Sequence, residues 1–379
     1  MKFSIDFERI LMWPQIPLKI FGLWNANSSK FTLFLLRTAL TFIVLSIILN
    51  TIVLIINADK NLISISIVAN GIRFVAWIQR IIFFLTKRQA MVDLLSQYFH
   101  DISAPANFRR QIDRFRLKTS KLMSKTYVMR YFFAILLIVS ITLYEELDVS
   151  SIPMIFIYFI VRLLFILLHV QILGFNLMYI TWLQLTLCLL EHMNEIVRTL
   201  HCTRNGLGPQ KWNSAHQARI KKTLRYTIQL HQRAAKFVCG LNQMFSNVMM
   251  MDLWSTHVVF SIAFVQIAIE GMLHNIATSL ATVMSTLLIY FYMALICQTS
   301  TDIVEQSGRK LQDNLCHVPW WGWNQSNLNI RNGIYSSSMH GLQIKAGPIY
   351  NFSLATFATV LSVSFYYFMI LYELNTTRI

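Results

Sequence analysis

Long apolar runs separated by loops of alternating charge constrain this chain more than any other feature. The last run, Ser353 to Leu374, makes a helix about 33 Å long at 1.5 Å per residue, enough to cross the ~30 Å hydrocarbon core of a bilayer. Earlier runs of the same kind lie at about Leu33 to Ile56, Ile63 to Leu85, Tyr131 to Leu147 and Ile152 to Leu190. Another ends near Glu270, and a further one extends from near Asn275 to Cys297. The 379 residues are 55% hydrophobic and only 13% charged, about half the charged fraction of a soluble protein. The sequence predicts an all-α membrane protein with seven transmembrane helices.

The net charge of +16 does not indicate nucleic acid, because a basic soluble binder does not carry repeated runs of spanning length. Position explains it instead. The loop after the second run holds Lys87, Arg88, Arg109, Arg110, Arg114, Arg116, Lys118, Lys121 and Lys125. The loop after the fourth holds Arg198, Arg204, Lys211, Arg219, Lys221, Lys222, Arg225, Arg233 and Lys236, and the sixth is followed by Arg309, Lys310, Arg331 and Lys345. The alternate loops are short and acidic or neutral, with Asp59 and Lys60, then Glu145, Glu146 and Asp148, then Glu270. Lys and Arg stay on the cytoplasmic side during insertion. The N-terminus is therefore expected in the cytosol and the C-terminus outside.

That orientation is the reverse of a G-protein-coupled receptor. The third run ends in Glu145-Glu146-Leu147-Asp148 rather than an acidic-Arg-aromatic triplet, and the last lacks Asn-Pro-x-x-Tyr. Asp6 and Glu8 stand where a signal peptide is positive, and Pro14 breaks a short apolar stretch, so no cleaved signal is expected. The organisation follows: a cytoplasmic or interfacial segment 1–30; spans one to four in 31–190; spans five and six with cytoplasmic helices in 191–348; and the last span with a short outer tail in 349–379.

Helical patterns from Ile152 to about Leu200 and from about Ser214 to Glu270 exceed what a bilayer needs, so both helices should project into the cytosol and offer packing surfaces there. A half-helix is expected to end at Gly347-Pro348, because Pro348 cannot donate a backbone hydrogen bond. Cys188, Cys202, Cys239, Cys297 and Cys316 fall toward the reducing side, where free thiols are expected. Asn27, Asn324, Asn351 and Asn375 open Asn-x-Ser/Thr triplets at positions that predict little glycosylation.

No P-loop, Gly-x-Ser-x-Gly or His-Glu-x-x-His pattern occurs, and the adjacent pairs His201-Cys202 and Cys316-His317 do not face one site on a helix. Neither an enzyme nor a cofactor or metal site is expected. Without an Arg-rich voltage-sensing helix or a Thr-Val-Gly-Tyr-Gly filter, a ligand is the expected trigger of any conductance.

In the last helix Thr359, Val363, Tyr366, Ile370, Glu373 and Leu374 share one stripe, and Leu361, Phe365, Phe368 and Tyr372 another. The first stripe suits a pore, with Ile370 and Leu374 as an apolar constriction and Glu373 as a cation-attracting ring. A lipid-packed helix with Glu373 at the water interface is the other reading. Outer halves of spans two, three, four and six offer an apolar cavity lined by Gly71, Phe74, Ser140, Tyr144, Phe156, Phe159, Leu163, Thr282, Met284 and Ser285, each of which also suits core or lipid packing. Arg73, Arg80 and Arg162 are charges within spans and need partners, with Glu145, Glu146 and Glu270 as candidates.

Ser353-Leu354, Phe357, Val360-Leu361, Ser364, Tyr367-Phe368 and Leu371, preceded by Ala346-Gly347 and Trp320-Trp321, resemble the C-terminal signature of insect odorant receptors. Tyr367-Phe368-Met369-Ile370-Leu371 is also similar to the last helix of that family's co-receptor, although Glu373 replaces an amide there. The resemblance implies an odorant-binding tuning subunit that joins the co-receptor in a heterotetramer through a cytoplasmic anchor domain. A volatile organic ligand in the outer pocket would open a path for cations. A gustatory receptor, whose last helix carries a Gln-Phe missing here, and a secondary transporter are the alternatives.

Overall fold

The computed structural model describes part of residues 75–94, then 152–200, 214–270 and 276–376. Side chains are described in these ranges except at 152–173, 371, 374–376 and most positions from 259 to 289. The expected first and third spans lie outside the described residues. Among the described residues no helix is long and apolar enough to cross a membrane. The apolar runs themselves continue through 152–173 and 371, whose side chains are outside that set.

Among the described residues three long helices dominate: α1 (Ile152–Thr199), α2 (Ser214–Glu270) and α3 (Ile276–Ser307). They are followed by α4 (Arg309–His317), a 3-10 turn at Trp320–Gly322, α5 (Gln325–Ser337), strands β1 (Lys345–Ala346) and β2 (Tyr350–Asn351), and the final helix α6 (Leu354–Thr376). The bounds of α1 and α2 agree with the sequence pattern. Helix α3 runs ten residues past the expected Cys297.

With 48 and 57 residues, α1 and α2 are roughly 70 and 85 Å long. Their lower parts pack as in a soluble protein. On α1 Trp182, Leu185, Leu189, Met193 and Ile196 are buried at helical spacing, and on α2 Leu224, Ala234, Phe237, Leu241 and Phe245. Trp182 meets Phe237 and Phe245 with ring centroids 6.2 and 5.3 Å apart, while the exposed side of α2 carries Arg219, Lys222, Arg225 and Lys236. Leu311, Leu315 and Ile334 close the same core from α4 and α5.

Polar side chains tie these pieces down. Asn194 donates to the Gln306 carbonyl at 2.8 Å and accepts from Asn314 at 3.0 Å. Gln217 donates to the Gly322 carbonyl and accepts from buried Asn327, fixing the Trp turn against the start of α2. Arg331 lies 5.5 Å over the Trp320 ring. Among the described residues Cys188, Cys239, Cys297 and Cys316 form no disulfide; Cys202 lies outside them.

The segment at Gly347-Pro348 differs from expectation. It is the turn of a two-stranded antiparallel hairpin, not the end of a half-helix. Gly347 has φ +69°, the left-handed region open to glycine, and a side chain there would run into Met250. Its N–H donates to the Ser246 carbonyl, and Asn242 pairs with Gln343 and Lys345 like a neighbouring strand. Helix α2 thus holds the hairpin, and the hairpin delivers α6.

Burial of His192 in this core pushes its pKa down to about 4 from 6.5, and burial also lowers that of His231. The unfolded chain binds more protons below pH 6.5, so stability is full at neutral pH and falls as pH drops from about 6.5 toward 4. For His192 the loss is on the order of 3 kcal/mol. Thermal unfolding in detergent should show a lower midpoint across that window, and His192→Leu should flatten the decline. An unchanged slope would remove His192 as its cause.

Candidate pore helix and ligand-binding region

Helix α6 begins under firm local control. Ser353 accepts from the Thr356 N–H at 3.1 Å as an N-cap, Thr356 donates to the Asn351 carbonyl, and Thr301 of α3 accepts from the Leu354 N–H. From there one face only is packed: Phe357 and Val360 contact the core, and Ser364 is fully buried. Three polar side chains converge at Ser364. His257 Nδ1 lies 2.5 Å and Tyr290 Oη 2.9 Å from Ser364 Oγ, and Ser261 donates to the Ser364 carbonyl at 3.2 Å.

The other faces of α6 are open. Tyr366 is 67% and Ile370 37% exposed, with Thr359, Val363 and Glu373 also exposed along that stripe; the Leu374 side chain lies outside the described residues. On the second flank Phe365, Phe368 and Tyr372 form an aromatic ladder with centroids 6.0 Å apart at each step. The stripe expected to face a pore and the packed face are therefore on different sides of one helix. An apolar helix clad on one side needs lipid, water-lined passage or another chain on the rest.

The candidate ligand residues fare differently. Gly71, Phe74, Ser140 and Tyr144 lie outside the described residues, as do the side chains of Phe156, Phe159 and Leu163 on α1 and of Thr282, Met284 and Ser285 on α3. An open groove of about 660 Å³ lies instead at the opposite end, between α2 and residues 340–345, lined by Cys239, Asn242, His340 and Lys345 among others. Among the described residues no His, Cys, Asp or Glu cluster is placed to hold a metal.

One charge of the expected second span finds its partner on α2. Arg80 pairs with Asp252 of α2: Nη2 lies 2.6 Å from Oδ1, and Nε donates to Oδ2 at 3.2 Å, while the side chains of the expected partners Glu145, Glu146 and Glu270 lie outside the described residues. Both side chains are buried, and the guanidinium sits 5.7 Å over the Phe175 ring of α1. Phe175 in turn packs with Phe83 and Phe245, and Phe245 with Tyr179, with ring centroids of neighbouring pairs 4.8 to 5.9 Å apart. Asp252 and Glu270 are the only acidic residues of α2, a signal that would have narrowed the search. The side chains of Arg73 and Arg162 lie outside the described residues.

A family model described as 7tm Odorant receptor matches residues 57–365. The chain belongs to the odorant receptor family. Membership makes it a membrane receptor of olfaction, in a family of seven-helix cation channels rather than enzymes. Its fold resembles the insect olfactory receptor OR5 from Machilis hrabei, with TM-score 0.72, 14% identity and coverage of 97% of this chain and 99% of that one. The same receptor in complex with eugenol matches with TM-score 0.73, 13% identity and equal coverage. No curated protein matches.

Breaking a buried ion pair by removing one partner costs about 3–5 kcal/mol, because it strands the other charge. Arg80→Leu and Asp252→Asn should therefore each reduce the receptor labelled at the cell surface severalfold. The exchange Arg80→Asp/Asp252→Arg should restore part of the loss. Wild-type surface levels for both single variants would remove the pair from the list of stabilising contacts.

Proposed function

We propose that this chain is the odorant-binding, tuning subunit of a heteromeric, ligand-gated, non-selective cation channel in the plasma membrane of sensory neurons, its N-terminus cytoplasmic, formed with the family's co-receptor. The observation that carries the reading is α6: held to its own subunit along one face, it leaves the Tyr366, Ile370 and Glu373 stripe uncovered. Copies arranged around an axis would place Ile370 and Leu374 as an apolar constriction that gates by excluding water, and Glu373 beyond it as a cation-attracting ring.

The ligand in this reading is a small volatile organic molecule held in the outer halves of spans two, three, four and six, by Gly71, Phe74, Ser140, Tyr144, Phe156, Phe159, Leu163, Thr282, Met284 and Ser285. The OR5 complex with eugenol supports a ligand of that class in this fold. Burying apolar surface stabilises such a ligand by ~25 cal/mol per Å², so shape and one or two hydroxyls suffice without a charged anchor. The packed inner ends of α1, α2 and α3 with α4 and α5 would serve as the anchor between four subunits.

Two measurements test this. Volatile-evoked cation current should require both this chain and the co-receptor, and current from this chain alone would overturn the tuning-subunit assignment. Ile370→Ala should raise the unstimulated current roughly threefold or more, equivalent to about 0.7 kcal/mol lost from the closed gate. An unaltered basal current with normal surface labelling would place Ile370 away from the ion path.

A further inference from the structure

Ser364 differs from every neighbour on its helix. It is fully buried, while Val363, Phe365 and Tyr366 beside it are exposed. Its hydroxyl also donates to the Val360 carbonyl at 2.8 Å. A hydroxyl has one donor and two acceptor sites. With the donor spent on Val360, both remaining contacts must be donations to Ser364: Nδ1–H of His257 from α2 and O–H of Tyr290 from α3. The oxygen is then saturated. Ser261, which also donates to the His257 carbonyl at 3.1 Å, adds a bond to the Ser364 backbone carbonyl. The His257 ring further meets Tyr367 edge to face at 5.4 Å.

Beyond its first turn, where Thr301 accepts from the Leu354 N–H, α6 also makes ring contacts on either side of this point, Phe357 against Tyr290 at 6.3 Å and Phe368 against Phe264 at 6.0 Å. Apolar side chains can slide or roll over one another with gradual loss, whereas hydrogen bonds weaken steeply when distance or angle changes. In a dry surrounding an abandoned donor has no water to replace its partner. Rolling α6 by one residue, roughly 100°, would carry Ser364 out of its pocket and break its bonds to His257 and Tyr290 together. The network therefore defines one discrete setting of the helix.

We propose that Ser364 is a positioning residue that sets the rotation and height of the last helix, and that opening requires His257 and Tyr290 to release it. Ser364 touches no ion; it acts through the stripe on the far side of its own helix. The proposal rests on the reading of α6 as the pore-lining helix. It makes the resting conformation a latched one, with α2 and α3 as the catch through which movement elsewhere in the subunit reaches the gate.

The test uses the full chain co-expressed with the co-receptor, with currents normalised to surface-labelled receptor. Ser364→Ala and Tyr290→Phe should each raise unstimulated current and lower the half-maximal volatile concentration, by roughly threefold to tenfold, the range one lost hydrogen bond gives. The double variant should go no further than the larger single effect. Effects that multiply, or a dose-response curve that does not move, would overturn the latch. Ser261→Cys/Ser364→Cys, oxidised to the disulfide, should hold the channel shut until a reductant is added. A disulfide that forms without affecting the current, or that does not form in the resting receptor, counts against the proposal even if Ser364→Ala fails to reach the surface. A wild-type pair that carries no volatile-evoked current sinks the pore reading and the latch with it; a response to Ile370→Ala with none to the latch variants sinks the latch alone.

Discussion

A hydrocarbon layer of roughly 30 Å leaves about 40 Å of α1 and 55 Å of α2 to be accommodated elsewhere. In water a helix of that length needs an apolar neighbour along one side. The described core meets this need: Trp182, Met193 and Ile196 of α1 meet Leu224, Phe237 and Phe245 of α2, and Leu311, Leu315 and Ile334 complete the cover. The length of α1 and α2 is thus matched by a hydrophobic core along their packed parts, and the later elements are placed by it. The hairpin hangs on Asn242 and Ser246 of α2, and the first turn of α6 on Thr301 of α3.

The two environments use polar residues differently. In the lower core Asn194, Gln217, Asn242 and Asn327 satisfy backbone carbonyls and loop amides, as in any soluble domain. Higher on α2 the polar residues look to one another: Asp252 to Arg80, and His257 and Ser261 to Ser364. Where water is excluded, a polar side chain must carry its partner with it. Asp252 and Ser261 lie within ten residues on one helix, and between them they fasten the 75–94 segment on one side and α6 on the other.

How far the sequence could be read depended on the scale of the feature. Helices α1 and α2 were legible end to end because their apolar positions recur over many turns and their limits are marked by Ile152-Pro153 and by the polar stretch before Ser214. The end of α3 was not. Gln298, Thr299, Ser300, Thr301 and Asp302 resemble an exit from the membrane, but the helix continues to Ser307, with Ile303 buried in the core. Hydropathy marks where lipid ends, not where a helix does. The hairpin at Gly347 consists of two-residue strands held by α2, too short for any period to show, and the glycine-proline pair is equally at home at a helix end. Pairings such as Arg80 with Asp252, 172 residues apart, leave no local trace.

The last helix shows why a stripe can be visible in sequence while what holds it in place is not. The Tyr366, Ile370 and Glu373 stripe stands out because helical spacing aligns it, and it is exposed in the fold. Ser364 stands one position off that stripe among Ser362, Val363 and Phe365, and nothing in its spacing sets it apart from Ser362. What distinguishes the two is outside the helix: Ser362 is exposed and bonds only back to the Ala358 carbonyl, whereas Ser364 meets a histidine and a tyrosine from two other elements. A serine that bonds its own preceding turn costs a helix little in lipid and says nothing about neighbours. A serine that also fills both acceptor sites from α2 and α3 couples three helices at one atom, so a shift in any of them must be shared or the bonds must break.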